Sequence, residues 1–254
     1  MSEKWYQISP IELVQWAAPL FEEEEVKGFS EKQIASFEKA AGIKFPAALR
    51  EYYLACGETT LNLDDNPILT PAKNAALGED NVAFSYDYIK EELKWLKKHH
   101  ETGYEDQEQL RTLPVEDWNR IVDNYLLIWV ENQGCWFAGI RVDDLDKPNP
   151  PVYYNDEDDM YHWAPFGDSV QSFILTELLD CYRFRSADDT IEDPEEIQKI
   201  LKENGVDFKR LQEPYPFPGG RFAHTCLDTD TNTLYVYGEE AENRHAYLRV
   251  IQAE

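Results

Sequence analysis

The sequence predicts a fold that combines a β-sheet with several helices, and three observations support this. Two apolar runs in the middle of the chain, residues 125–130 and 135–142, have the spacing of a β-hairpin. Helix start signals and helical apolar spacing recur on both sides of these runs. Three further runs near the C-terminus have the composition of strands. We therefore expect a hairpin in the middle of a sheet, with the helices packed around it.

The hairpin is predicted to be central and covered on both faces. Its two runs are almost continuously apolar and rich in aromatic and β-branched residues, and Asn132, Gln133 and Gly134 separate them. Strands that are covered on both faces have this composition, whereas strands with one wet face alternate apolar with polar residues. The residues of the hairpin, including Trp129 and Cys135, are therefore interpreted as packing residues rather than as functional ones.

Short helices are expected before the hairpin. Residues 9–12 and 30–33 each have a Ser followed three residues later by Glu or Gln, which is the pattern of a capping box at a helix start. The helix that begins at 30–33 is expected to end at Gly42, and Pro46 opens another that ends at Gly57. The sequence thus predicts two short helices joined by a tight elbow.

The remaining elements follow from the same signals. Residues 185–193 are polar and acidic, so the boundary of a C-terminal unit is placed there. Three short strands have too little core to be stable alone, so we expect this unit to pack on the same sheet or to extend it. The predicted elements are a helix at 88–100, a strand at 152–154, helices that begin after Ser169 and Asp193, and strands at 221–227, 233–237 and 245–251.

The balance of charge is the strongest compositional feature. The chain has 50 Asp and Glu against 24 Lys and Arg, for a formal net charge of −26. Such a charge repels nucleic acid and anionic lipid, so neither a nucleic acid nor a membrane is an expected partner. It attracts a basic protein and speeds its association. Solubility alone is the alternative explanation of the charge.

Targeting signals and cysteine spacing indicate the compartment. The N-terminus lacks the basic start and apolar core of a signal peptide, and no apolar run approaches the ~20 residues that span a bilayer. The four cysteines are widely spaced, without a CxxC pair or a dense disulfide framework. We therefore expect a cytoplasmic protein with reduced, buried thiols.

No pattern of residues indicates catalysis, a cofactor or a metal. The His and Cys residues lack ligand spacing, and neither a GxSxG elbow nor a glycine-rich phosphate-binding loop occurs. Asp228, Asp230 and Asn232, with Glu239, imitate a calcium-binding loop, but Thr233 stands where that loop requires Gly. A plain β-turn is the expected structure there. An enzyme whose site is invisible in the sequence is an alternative.

A longer motif carries a resemblance to a known family. The segment GFSEKQIASFEKAAGIKFPAALREYYLACGE resembles the signature of the SUKH superfamily, in its subfamily related to fungal cell-wall-synthesis regulators. The strand runs LLIWVENQGCWFAGI and PVYY and the helix start near Phe166 resemble later parts of the same domain, so the likeness covers residues 28–182. Cys56 stands where Asn is commoner, and Glu58 replaces a Gly. Matching signature residues are Ile34, Glu38, Gly42, Phe45, Pro46, Tyr52 and Gly57.

The resemblance implies both a fold and a role. The fold would be α+β, with a central, largely antiparallel sheet and flanking helices, and we assign this domain to residues 1–185. Residues 186–254 lie outside the likeness, and their predicted helix and three strands are expected to form a C-terminal α+β extension. The role would be that of a bacterial immunity protein, without enzymatic activity, which neutralises a cognate toxin such as a nuclease or a deaminase by stoichiometric blockade. A regulatory scaffold with an endogenous partner is the alternative.

Three acidic clusters are candidate contacts with a basic toxin domain. They lie at 22–25, at 143–146 and at 156–159, and for each of them a solvated loop is the alternative. The segment 156–163 is favoured, because aromatic residues accompany its carboxylates and aromatics are enriched in protein interfaces. The predicted partner-binding residues are Asp143, Asp144, Asp146, Tyr153, Tyr154, Asp156, Glu157, Asp158, Asp159, Tyr161 and Trp163.

Overall fold

The structure is a computed structural model of the 254-residue chain. It describes residues 5–6, 8–21, 26–59, 62, 84–99, 114, 116–117, 124–131, 135–156, 163–180, 189–206, 215–217, 221–240 and 246–252. The acidic run at 22–25, residues 157–159 of the third acidic cluster, and Cys181 lie outside these residues.

Six α-helices and ten strands lie within the described residues. The helices are α1 (Pro10–Ala17), α2 (Glu31–Ala41), α3 (Ala47–Cys56), α4 (Ser85–His99), α5 (Val170–Asp180) and α6 (Pro194–Glu203). The strands are β1 (Trp5–Tyr6), β2 (Tyr125–Val130), β3 (Trp136–Arg141), β4 (Val152–Asp156), β5 (Trp163–Gly167), β6 (Asp189–Ile191), β7 (Tyr215–Phe217), β8 (Arg221–Asp228), β9 (Thr233–Glu240) and β10 (Ala246–Gln252). The prediction of an α+β fold is confirmed.

The predicted hairpin forms, but at one side of its sheet. Strands β2 and β3 pair antiparallel and belong to a four-stranded sheet in the order β2-β3-β4-β5, so β2 is an outer strand. The expectation of a hairpin in the middle is therefore wrong for β2. Strand β5 is not among the elements that the sequence predicts; it pairs with β4 and completes the sheet.

A second sheet gathers strands from both ends of the chain. Its order is β1-β8-β9-β10-β6, and β7 also pairs with β8. The three C-terminal strands form as predicted, and they build this separate sheet rather than adding to the first. Strand β6 lies in the polar stretch 185–193, where the sequence predicts a boundary, and it pairs with β10. Whether the chain divides into units at residue 185 stays a prediction.

Helix α5 lies at the centre of the shared core. It is buried at Val170, Phe173, Ile174, Leu175, Leu178 and Leu179. A helix that is apolar on most of its circumference is covered on most sides. The same core contains side chains of both sheets, among them Ile140 of β3 and Leu234 of β9, so the two sheets share this hydrophobic core. A second, smaller cluster joins α6 to the C-terminal strands, with Ile197 and Leu201 beside Tyr235 and Leu248.

The elbow between α2 and α3 is built around a buried carboxylate. Glu38 is 2% exposed, and its Oε1 accepts a hydrogen bond from the backbone N–H of Phe45 at 3.0 Å, while Lys44 Nζ lies 2.6 Å from Oε2. Gly42 ends α2 with φ of 71°, a left-handed conformation that glycine adopts without strain. Glu38 thus holds the chain in the reversal that Gly42 permits.

The loop between β3 and β4 is fixed to two helix ends. The carbonyl of Pro148 accepts from the N–H of Ala48 at the start of α3, and that of Pro150 accepts from the N–H of Val170 at the start of α5, both at 2.9 Å. The first backbone N–H groups of a helix have no partner within the helix. The loop supplies such partners to two helices and is held in place by them.

Candidate protein-binding surface

The acidic cluster at 143–146 and Asp156, the described residue of the second cluster, lie at opposite ends of the four-stranded sheet. Residues 143–146 follow β3 at one end, whereas Asp156 ends β4 at the other, opposite the first residue of β3. Strands of five or six residues span about 17–20 Å. Within the described residues, Asp156 is therefore separated from the 143–146 cluster by the length of the strands.

At the 143–146 end, carboxylates are presented by the fixed loop. The side chain of Asp143 is 81% exposed, with Arg141 at 3.8 Å. Asp144 is half-buried and lies 2.7 Å from Lys147 Nζ. Asp146 is exposed. Asp143 and Asp146 are thus the two acids of this cluster that face solvent.

The predicted tyrosines belong to different faces of the sheet. The Tyr153 ring packs against Tyr125 with centroids 5.5 Å apart, and Tyr125 also stacks on Trp163 at 4.1 Å. The Tyr154 ring instead lies 5.7 Å from Trp136, because successive residues of a strand point to opposite faces. Among the predicted aromatic residues that the structure describes, Tyr154 lies beside Trp136, an exposed residue on the opposite face from Tyr153.

Trp136 is that exposed residue, and its position in an apolar run did not indicate this exposure. It is 42% exposed, although its apolar context had indicated burial on both faces, and neighbouring Cys135 is half-buried. The expectation of a fully covered hairpin is wrong at this end. A tryptophan in the first position of a strand, directly after the hairpin connection, is the signal that could have indicated an exposed site.

The Trp136 ring contacts Tyr154, and a series of further ring contacts connects Tyr154 to the core. Tyr154 contacts Phe166 edge-to-face at 5.9 Å, Phe166 contacts Phe173 of α5 at 5.1 Å, and Phe173 contacts Trp129 at 6.3 Å. Edge-to-face pairs at these separations are attractive. The exposed indole is therefore supported from beneath.

A row of three residues crosses the sheet at this end. The backbone N–H of Glu131, just after β2, donates to the carbonyl of Trp136 at 2.9 Å, and the register places Asp156 of β4 opposite Trp136. The carboxylate of Glu131 accepts from the N–H of Cys135 at 3.4 Å, beside the indole. Glu157, Asp158, Asp159 and Tyr161 lie outside the described residues, so their role stays a prediction.

Comparison with known proteins identifies the domain that carries this surface. The profile of the SMI1 / KNR4 family (SUKH-1) matches residues 28–176, which is more than half of the chain. The chain belongs to the SUKH-1 family. The matched residues include the α2–α3 elbow, the whole four-stranded sheet and most of α5. No curated protein and no solved structure matches the chain.

SUKH-1 membership supports a toxin-immunity role or a related regulatory role, and it suggests a protein partner. Immunity domains of the SUKH type are generally not enzymes. In the described part of the chain, no helix has the length and apolar character needed to cross a bilayer. The same residues contain no group of three or more His, Cys, Asp or Glu arranged to hold a metal ion.

The structure explains the SUKH-1 signature residues as parts of the scaffold. Ile34 is fully buried, Glu38 fixes the elbow, and Gly57 packs beneath the Phe29 ring, which a Cβ there would meet at 2.7 Å. Tyr52 donates a hydrogen bond to Asn62, which in turn donates to the carbonyl of Cys56 at 2.8 Å. The signature therefore identifies the fold rather than a binding residue.

The titratable groups of the core show the effects of burial. Burial raises the pKa of the Cys56 and Cys226 thiols to about 12, so both are protonated and unreactive at neutral pH. Burial, with the nearby charge of Asp180, raises the pKa of Glu177 on α5 to about 8. None of these groups contacts the Trp136 surface in the described residues, and we assign them to the core.

The segment that imitates a calcium loop is the turn between β8 and β9. Asp228 accepts hydrogen bonds from the N–H of Asp230 at 2.9 Å and from the hydroxyl of Thr231 at 2.7 Å. Asn232 has a left-handed φ of 52°, and its Oδ1 accepts from the indole of Trp16 at 2.8 Å. The predicted β-turn is confirmed, and the carboxylate of Asp228 is used within it.

Proposed function

We propose that this SUKH-1 protein is a bacterial immunity protein that neutralises a cognate toxin by stoichiometric blockade. The toxin would be a nuclease or a nucleic-acid deaminase, whose surface is basic where it binds phosphate. The net charge of −26 on a domain of the SUKH-1 family is the observation that carries this proposal. Such a charge accelerates encounter with a basic protein and favours complementary docking.

We place the contact surface at the sheet end that contains Trp136 and Asp156. This end combines an exposed aromatic residue with the start of the acidic turn, whereas the 143–146 end offers exposed carboxylates and a proline-rich loop. Binding energy in interfaces concentrates at aromatic residues that become desolvated, and charges at the rim contribute mainly to steering. The aromatic end is therefore the better anchor.

Blockade requires no chemistry of the immunity protein itself. A rigid acidic surface that covers the phosphate-binding cleft of the toxin excludes nucleic acid by occupying the same positive groups. The affinity of such a complex falls as salt rises, because salt screens the attraction between exposed charges. A regulatory scaffold with an endogenous partner would bind a protein even in cells that lack any toxin.

The experiment uses the full-length protein and the C-terminal domain of the toxin encoded beside its gene. Binding is measured by calorimetry at several salt concentrations, together with nuclease or deaminase activity at increasing ratios of the two proteins. Saturation at a fixed ratio with loss of toxin activity is expected. The proposal is overturned in favour of the regulatory role if the protein does not bind that toxin and instead captures an endogenous protein from a strain that lacks toxins.

Three double variants with equal net charge locate the surface. Asp156→Lys with Asp158→Lys alters the favoured end, Asp143→Lys with Asp146→Lys alters the opposite end, and Glu192→Lys with Glu203→Lys alters exposed sites on and beside α6. Because long-range steering depends on total charge, all three slow association similarly. We expect faster dissociation of the first variant alone. Equal dissociation rates for all three would contradict the placement.

A further inference from the structure

We propose that Trp136, between Glu131 and Asp156, is a receptor for an arginine side chain of a partner protein. The identity of that partner rests on the proposed function, but the recognition chemistry does not. The guanidinium would lie on the exposed indole and pair with the carboxylate of Glu131, and Asp156 adds a negative charge at the neighbouring strand position. The occupant is thus a cationic, planar group on a basic protein surface.

The exposure of Trp136 provides the contact area. Tryptophan offers the best aromatic face for a cation, with an attraction that grows as the pair loses water. At 42% exposed, the ring presents a large surface to solvent while its other contacts hold it. Single exposed apolar residues are common on protein surfaces, so exposure by itself does not identify a binding residue.

The rigid support of Trp136 reduces the entropic cost of binding. The ring contacts of Trp136 with Tyr154, and of Tyr154 with Phe166, connect it to Phe173, which is 1% exposed in the core. Immobilising a flexible side chain costs free energy on association, and a side chain that is already ordered avoids most of that cost. The Trp136 side chain is therefore preorganised for binding in the free protein.

The charges beside Trp136 select a cation. Glu131 and Asp156 occupy the positions on either side of Trp136 across the three strands, and opposite residues of neighbouring strands are close neighbours. Arginine suits this arrangement better than lysine, because its planar guanidinium both stacks on an aromatic ring and pairs with carboxylates through several N–H groups. A lysine ammonium is a compact, strongly hydrated charge.

The other exposed tryptophan supplies a matched control. Trp95 on α4 is 44% exposed, which is close to the value for Trp136. Its neighbours along the helix include the exposed side chains of Lys94 and Lys98. Residues three or four positions apart share a helix face, so Glu91 and Lys98 place charges of opposite sign beside the Trp95 ring. A cation is therefore favoured more strongly at Trp136 than at Trp95.

The test measures binding of a hexa-arginine peptide, with hexa-lysine as comparison, to the full-length protein by calorimetry at low salt. The variants are W136A, W95A and Glu131→Gln, each checked for wild-type thermal unfolding. We expect W136A to weaken hexa-arginine binding about five- to tenfold, in line with a partly desolvated cation–aromatic contact. W95A should leave it unchanged, and the loss in hexa-lysine binding to W136A should be smaller.

Two further variants keep the test decisive. If W136A does not fold, W136F retains a ring for packing but offers a weaker face to a cation, and a loss of about twofold is expected. Glu131→Gln keeps the acceptor for the N–H of Cys135 while it removes the charge, and it should weaken hexa-arginine about two- to threefold.

Specific outcomes overturn the inference. Hexa-arginine affinities that are equal for the wild type, W136A and W136F contradict it, as do equal losses in W136A and W95A or a lack of peptide binding. The toxin domain is tested separately with the same proteins. If the wild type does not bind the toxin, the proposed function is wrong. The arginine receptor is judged by the peptide measurements alone, so that outcome does not affect it.

Discussion

Tyr125 and Trp163 stack with ring centroids 4.1 Å apart and planes inclined by 14°, although they belong to β2 and β5, the two outer strands of the four-stranded sheet. Gly139 of β3 makes this possible. A Cβ at Gly139 would lie 3.0 Å from the Cβ of Tyr125 and 2.9 Å from the carbonyl oxygen of Leu126. The absence of a side chain at Gly139 leaves room for Tyr125 beside it.

Gly139→Ala is therefore expected to destabilise the protein by about 1–3 kcal/mol, because the added methyl group overpacks the space beside Tyr125. Urea unfolding measures the change. Gly167→Ala on β5 is the control, since its Cβ would meet Ser172 Oγ at 3.4 Å, an ordinary contact distance. Equal stabilities of the two variants would show that Gly139 does not limit the packing.

Two replacements of Glu38 distinguish the contribution of its charge to stability from the contribution of its hydrogen bond to Phe45. Glu38→Ala leaves the N–H of Phe45 without its acceptor and removes the partner of Lys44 and Arg50, so a loss of about 3–5 kcal/mol is expected. Glu38→Gln preserves an acceptor for Phe45 and should cost less. Lys44→Ala, at a side chain that is 81% exposed, should cost under about 1 kcal/mol in the same unfolding measurements. A loss in Lys44→Ala as large as that in Glu38→Ala would contradict this account.

Glu177 makes stability depend on pH. Burial and Asp180 raise its pKa from 4.5 to about 8. Between pH 4.5 and pH 8, Glu177 is therefore protonated in the folded state and ionised in the unfolded state. Its stabilising contribution is complete below about pH 4.5 and is lost as pH rises through about 8. Glu177→Gln should thus raise the melting temperature at pH 8 to 9 and leave it nearly unchanged at pH 4.5. Glu192→Gln, at an exposed carboxylate, is the control, and parallel profiles of the two variants would refute the role of Glu177.

Asn232 combines a hydrogen bond with an unusual backbone conformation. Asn232→Ala loses the bond to Trp16 and places alanine at φ of 52°, so a loss of about 1–2 kcal/mol is expected. Asn232→Gly also loses the bond but accepts this φ readily, so it should be less harmful than the alanine variant. Thermal unfolding of both variants distinguishes strain from the lost bond, and the reverse order would show that backbone strain is unimportant here.

Local signals predicted much of the fold. The capping boxes at Ser9 and Ser30 form as expected, with the side chain of Glu12 or Gln33 returning to the N–H of the cap residue. Gly42 ends α2, and the strands of the hairpin and of the C-terminal sheet lie where apolar runs placed them. These features depend on neighbours within a few residues, which the sequence shows directly. Strands β5 and β6 were missed because Pro165 and acidic residues obscure the strand pattern that pairing with β4 and β10 imposes.

The sequence by itself determined the family, the excess of negative charge and the identity of most helices and strands. The tertiary structure decided which of these residues face solvent: it placed the acids at 143–146 and at 156 at opposite ends of one sheet, packed Trp163 against Tyr125, and left Trp136 exposed. The physical reason is that exposure depends on contacts between distant segments. Periodicity describes one element, and it contains no information about which end of a strand its neighbours cover.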